Sequence, residues 1–135
     1  MRAGQTVSIV LTMAMAAVAS AEDFDGSVPL TCTAEKGFDC LPTQTSCGPL
    51  KPETNIEPVY GIDFAKKEIR SPFRASLLKV LHSSTNRDSL VLQGAEGTAA
   101  WSAFVDRKTG ALTVAVADSQ GAYVAFGQCK VAAAK

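Results

Sequence analysis

The chain has 135 residues, 47% of them hydrophobic, and its 13 Lys and Arg balance 13 Asp and Glu for a formal net charge of zero. A neutral chain without a basic patch or an acidic block excludes a partner gripped through its phosphate backbone, so no nucleic acid is expected. Its length allows one domain and not two.

Residues 1–21 read as a signal peptide. Arg2 precedes an apolar run from Val7 to Val18, and Ala19-Ser20-Ala21 supplies the small-x-small pattern of a cleavage site. A membrane-spanning helix needs roughly 20 apolar residues, and this run is shorter. No cysteine follows it directly, so a lipid-attached N-terminus is not expected. The expected product is a free periplasmic or secreted protein of residues 22–135, a single β-rich domain with no membrane span after cleavage.

Residues 22–27 form a polar lead-in that reads as mobile. Val28–Ala34 can make a first strand, with Pro29 near its start, where a missing N–H does least harm. Residues 35–58 hold three cysteines and four prolines without apolar periodicity and read as one long irregular loop. Val59–Phe64 is a short strand, Ala65–Lys67 a turn and Glu68–Arg70 a return strand. Arg74–His82 fits a helix through Leu77, Leu78 and Leu81, or a strand through Leu78, Val80 and His82; strands on both sides favour strand. Ser83–Asp88 reads as a turn, Ser89–Gln93 as a strand with Leu90 and Leu92 on one face, and Gly94–Gly97 as the next turn.

Ala100–Cys129 then reads as three antiparallel strands. Asp106 and Gly110 bound the first turn, since Asp caps backbone amides and Gly takes the left-handed position. That loop sets Val105 opposite Leu112, Ala103 opposite Val114 and Trp101 opposite Val116. Asp118-Ser119-Gln120-Gly121 repeats the device one residue shorter and sets Val116 opposite Val124 and Val114 opposite Phe126. Trp101, Val114 and Phe126 then share one face. Residues from Val131 onward read as a frayed tail. Seven or eight short strands in all predict an all-β fold, a small antiparallel barrel or sandwich whose interior is filled by side chains.

Four cysteines in an exported chain read as two disulfides. Cys40–Cys47 is expected as a local clasp and Cys32–Cys129 as a tie between first and last strands. Strict alternation places Cys129 opposite Phe126, which would demand a bulge at Gly127 or a bridge outside the core. The cysteine spacing lacks the close pairs of a zinc site and His82 is the sole histidine, so no metal or cofactor is expected.

Candidate chemistry is sparse. Ser76-Leu-Leu-Lys79, Ser84-Thr-Asn86 and Lys108-Thr-Gly110 match the motifs of penicillin-binding enzymes in order, but at spacings that cannot build a cleft. A small hydrolase would have to use His82 as its base, and no nucleophile elbow accompanies it. No catalytic residue is assigned. Trp101 falls on the large-residue face and reads as core. Phe104 and Tyr123 project from the other face over a floor of Ser102, Thr113, Ala115, Ala117 and Ala125. Either the loop from Cys40 to Pro58 covers that floor, or it receives a macromolecule or small ligand, making Phe104 and Tyr123 the candidate interaction face.

Trp101-Ser-Ala-Phe-Val-Asp-Arg-Lys-Thr-Gly-Ala-Leu-Thr and Phe126-Gly-Gln-Cys129, with Leu30-Thr31-Cys32 earlier, resemble a group of small exported proteobacterial proteins of unknown function. These end in a W…(I/V)-D-R-x-T-G-x-L hairpin and an F-G-x-C strand. The resemblance implies compartment and fold and no activity. A looser similarity is to the exported inhibitors of animal-type lysozyme, small disulfide-tied barrels. Their Ser-Gly-x-x-Tyr loop is approximated by Ser119-Gln120-Gly121-Ala122-Tyr123, with the Gly displaced by one. The expectation is therefore a non-enzymatic binding protein of the bacterial envelope.

Overall fold

Turn residues divide the chain into short extended runs, and each run finds its neighbour edge to edge. The structure, a computed structural model, describes residues 23–53, 55–74 and 76–133; the signal-peptide reading lies outside them. Ten strands form: β1 (Leu30–Cys40), β2 (Gly48–Pro49), β3 (Val59–Asp63), β4 (Glu68–Arg70), β5 (Leu77–Lys79), β6 (His82–Thr85), β7 (Ser89–Glu96), β8 (Ala99–Asp106), β9 (Ala111–Asp118) and β10 (Gly121–Val131). All pairings are antiparallel, and the described residues contain no helix. The single sheet runs β5-β4-β3-β1-β10-β9-β8-β7-β6, with β2 paired to β1.

The first C-terminal hairpin forms as its turn chemistry dictates. The Asp106 carboxylate accepts from the Lys108 and Thr109 amides at 2.9 and 2.8 Å, and the Gly110 amide donates to the Asp106 carbonyl at 2.8 Å. Gly110 sits at φ 74°, which favours glycine. Trp101 faces Val116, Ala103 faces Val114 and Val105 faces Leu112, as expected.

The second hairpin differs from expectation by one residue. Asp118 caps the Gln120 and Gly121 amides at 2.8 and 3.1 Å, but Gly121 is already in the strand, paired with Asp118 across a two-residue loop. Tyr123 therefore faces Val116 and Ala125 faces Val114. A one-residue slip exchanges the faces of a strand. Tyr123 and Ala125 are buried beside Trp101 and Val114, whereas Val124 and Phe126 lie on the other side, half-buried. Phe126 is thus not on the face of Trp101 and Val114.

The same correction removes the difficulty with Cys129, which shares the parity of Tyr123 and Ala125 and points inward. Cys32 and Cys129 are direct cross-strand partners, both buried, and are joined by a disulfide. The bulge lies in β1, where the register shifts between Ala34 and Lys36, and not at Gly127. Cys40 and Cys47 form the second disulfide, as expected.

Where one strand was expected over Arg74–His82, two short ones form, β5 and β6, with Val80 and Leu81 between them, and together they curl the sheet on itself. The first pairs with β4 and the second with β7, the far end of the same sheet. Between them the Val80 amide donates to the Lys67 carbonyl at 2.9 Å and the Leu81 amide to the Gln93 carbonyl at 2.9 Å. The result is barrel-like, with its inside filled by buried Leu30, Tyr60, Ile62, Ile69, Leu78, Leu90, Leu92, Trp101, Val105 and Val114 among others.

Five further expectations are corrected. The lead-in is anchored: Phe24 is buried in the core and Asp23 accepts bifurcated hydrogen bonds from Arg107 at 3.0–3.2 Å. Residues 35–40 belong to β1 because β10 supplies a partner along its whole length, and β2 pairs back onto Phe38 and Asp39, so the irregular loop is shorter than 35–58. Ser83–Thr85 is strand, and the turn after β7 is at Gly97-Thr98 instead of from Gly94 on. Val131 is no tail residue, since it pairs with Leu30.

Candidate functional site

Strand alternation assigns the outer face of the sheet residue by residue. One row across β7, β8, β9, β10 and β1 reads Val91, Phe104, Thr113, Phe126, Lys36; the next reads Gln93, Ser102, Ala115, Val124, Phe38; a third reads Ala95, Ala100, Ala117, Ala122, Cys40. The register thus lays a mostly apolar surface over five strands, with Thr113, Ser102 and Gln93 as its neutral polar members and one cation, Lys36, at its corner. Lys36 Nζ stands 5.7 Å from the centre of the Phe126 ring.

This face is uncovered among the described residues. Phe38 is 47% and Phe104 44% exposed, and Ala100, Ala115, Ala117 and Ala122 are exposed too. Leu50, from the segment after Cys40, does not lie over it: its amide donates to the Gly37 carbonyl at 3.0 Å and its side chain packs toward the core. Where the alanines leave the backbone bare, an open trough of about 480 Å³ forms, bounded by Val124 and by Cys40 of the Cys40–Cys47 clasp.

The structure separates the two aromatics proposed for this face. Phe104 is on it, with Ser102, Thr113, Ala115 and Ala117 beneath, whereas Tyr123 and Ala125 are inside. The Tyr123 hydroxyl donates to the Arg74 carbonyl at 3.2 Å and lies 3.3 Å from the Ser71 hydroxyl, and its ring packs on Phe73 at 5.7 Å. Burial pushes the Tyr123 phenol above its ordinary value, against the opposing pull of its hydrogen bonds and of Arg74. Reasoning from sequence missed Phe38 and Phe126. The signal was present, because Lys36, Phe38 and Cys40 alternate with Gly37 and Asp39 as a strand requires.

A polar cluster gathers around Arg74. Arg74 stands over the Tyr123 ring at 5.0 Å, donates through Nε to Asp118 at 2.8 Å and through Nη1 to Asp39 at 2.7 Å. Burial works to raise the Asp118 carboxyl, but Arg74 and the turn amides outweigh it and hold it below its ordinary value. The cluster clamps the 71–74 segment to β1 and to the β9–β10 turn. Asp118 is thereby kept ionised and engaged, a structural use of charge.

The other sequence candidates stay apart. His82 is exposed on β6 opposite Gln93, and among the described residues it makes no hydrogen bond to a serine or a carboxylate. Ser76–Lys79 runs into strand β5, and Lys108-Thr109-Gly110 is a hairpin tip. Trp101 is 5% exposed and packed inward, in the core role expected of it. No group of three or more His, Cys, Asp or Glu suited to a metal occurs among the described residues.

Fold and face together define a small, disulfide-tied, barrel-like β domain with an apolar outer surface. Two disulfides are the mark of an oxidising environment. Comparison with protein-family models, with characterised proteins and with solved structures finds no match to the chain.

Proposed function

We propose that the chain is an exported binding protein of the bacterial envelope whose contact surface is the outer face of β1, β10, β9 and β8. The observation behind this reading is the uncovered apolar surface carrying Phe38 and Phe104 over an alanine floor. Contiguous exposed apolar patches mark interaction sites, and aromatics beside a flat floor make the anchors of such contacts. A macromolecule suits the surface better than a small ligand. Small-molecule sites bury 70–90% of their ligand, roughly, and an open trough covers one side only. The Ala19-Ser20-Ala21 motif and the paired cysteines support the periplasm or the exterior as the place of action.

The test is capture by the mature chain from its own periplasmic extract, beside a Phe38→Asp/Phe104→Asp variant of unchanged thermal midpoint. A partner retained by the native chain and lost with the variant supports the reading. A captured set that does not differ between the two, or no capture at all, overturns it.

A further inference from the structure

The two disulfides differ in what a reagent in solution can reach. Cys32 and Cys129 are 0% and 3% exposed, and their bridge lies inside the barrel. Cys47 is exposed, Cys40 is half-buried, and residues 42–46 between them are all exposed. A disulfide is opened by a thiolate that must touch one of its two sulfurs, so access decides which bridge exchanges. While the chain is folded, that bridge is Cys40–Cys47.

The fold holds these two cysteines together without help from their bond. Strand β2 pairs with β1 as Asp39 opposite Gly48 and Phe38 opposite Pro49, and one further step of this register sets Cys40 opposite Cys47. Their Cα atoms are 4.3 Å apart, close to the roughly 4.5 Å of a non-hydrogen-bonded cross-strand pair. Beyond β2 the Leu50 amide donates to the Gly37 carbonyl at 3.0 Å, and the Leu50 side chain packs against the core. Between the cysteines the Gln44 amide closes a turn onto the Leu41 carbonyl at 3.1 Å. None of these contacts passes through sulfur. Two thiols so placed meet at an effective concentration far above that of a thiol in solution, and they bond to each other in preference to a third sulfur. The bridge spans seven residues against 97 for Cys32–Cys129, and a short loop contributes least to stability, so the fold survives its opening.

We infer that Cys40–Cys47 is a reversible thiol–disulfide exchange site, opened by a dithiol reductant while Cys32–Cys129 stays closed. The reductant's thiolate attacks Cys47 Sγ, and the S–S electron pair leaves on Cys40 Sγ, which takes up a proton. The reductant's second thiolate then attacks its own sulfur in the mixed disulfide and expels Cys47 as a thiolate, which is protonated in turn. The chain gains two electrons and two protons, and the reductant becomes a disulfide. A dithiol suits the site better than a monothiol. Cys40 stays within reach of the mixed disulfide and expels a monothiol before a second one arrives. Cys40 also bounds the trough of the outer face, but the exchange does not depend on what that face binds, and either proposal can fail without the other.

The experiment exposes the mature, oxidised chain in native buffer to dithiothreitol, traps free thiols with iodoacetamide and locates them by mass spectrometry. Cys40 and Cys47 are expected to be labelled at least about tenfold faster than Cys32 and Cys129, with the far-ultraviolet circular dichroism unchanged. Once the reductant is removed, oxidised glutathione should restore Cys40–Cys47 without a lasting glutathione adduct. Leu50→Ala loosens β2 and should slow that closure about tenfold, letting the adduct at Cys47 accumulate. The labelling pattern of the native chain needs no variant. Both bridges opening together, neither opening until the chain unfolds, a glutathione adduct that persists in the native chain, or equal closure of the native and Leu50→Ala chains would each overturn the inference.

Discussion

Phe24 shows how much one side chain in a polar stretch can decide. Flanked by Asp23, Asp25 and Gly26, it enters the barrel end and is 4% exposed, while the Phe24 amide reaches the Arg107 carbonyl at 3.4 Å. Truncation of a buried aromatic costs about 3–5 kcal/mol, so Phe24→Ala should lower the denaturation midpoint sharply. Asp23→Asn breaks a pair whose carboxylate is 59% exposed, and should change stability by less than about 1 kcal/mol. Equal effects of the two substitutions would mean that the lead-in is tied by charge and not by packing. Carboxylates set the acid limit of the fold. The Thr109 and Lys108 amides hold Asp106 below its ordinary value, and Asp118 is held down by Arg74 and its turn amides against the effect of burial. A carboxyl depressed in the folded state contributes stability above its unfolded pKa and loses it as pH falls through the folded one. Stability should therefore be level near neutrality and decline below about pH 4, and Asp118→Asn should flatten that decline.

At the scale of strands, the hairpin after β9 explains both what the sequence disclosed and what it hid. Val105, Ala103 and Trp101 found their partners because Asp106 and Gly110 allow one loop geometry. In the next turn Asp118 caps in the same way, but Gly121 is there for a different reason. A side chain at Gly121 would run into the Cys40 carbonyl of β1, and its φ of 143° disfavours any other residue as well, so the glycine answers a close approach between strands besides a backbone demand. That contact joins residues far apart in the chain and cannot be read from the turn alone. The faces of Tyr123, Val124 and Phe126 followed from it, and with them half of the candidate site. Phe104 was legible because its strand register was; Phe38 left only the short alternation of residues 36–40, which becomes strand because β10 supplies a partner there. Gly121→Ala is expected to destabilise the chain by more than about 1 kcal/mol. Gly97→Ala, at φ 57° with no atom within 4 Å of the added carbon, should meet backbone strain alone and cost less. Chemical denaturation of the two variants side by side measures the difference, and a milder effect at Gly121 would place the contact with β1 in error.

For the molecule as a whole, the two disulfides divide fold from surface. Cys32–Cys129 spans 97 residues and joins the first strand to the last inside the core, whereas Cys40–Cys47 spans seven and lies beside the trough. On the chain-entropy account, the long tie contributes about 4–5 kcal/mol and the short one less than about 3. Cys32→Ala/Cys129→Ala also removes two sulfurs from the packed interior, adding to its effect. This variant should lose most of its cooperative unfolding transition, and partner capture would fall with the folded fraction. Cys40→Ala/Cys47→Ala should keep the transition, with a modestly lower midpoint, because β1 and β10 remain paired as far as Ala122 without it. Its effect belongs to the outer face, where Cys40 bounds the trough. Capture of the partner should then drop while the chain stays folded. Thermal denaturation and capture measured on both variants separate the two roles, and parallel losses in the second variant would mean that the clasp serves the fold and not the surface.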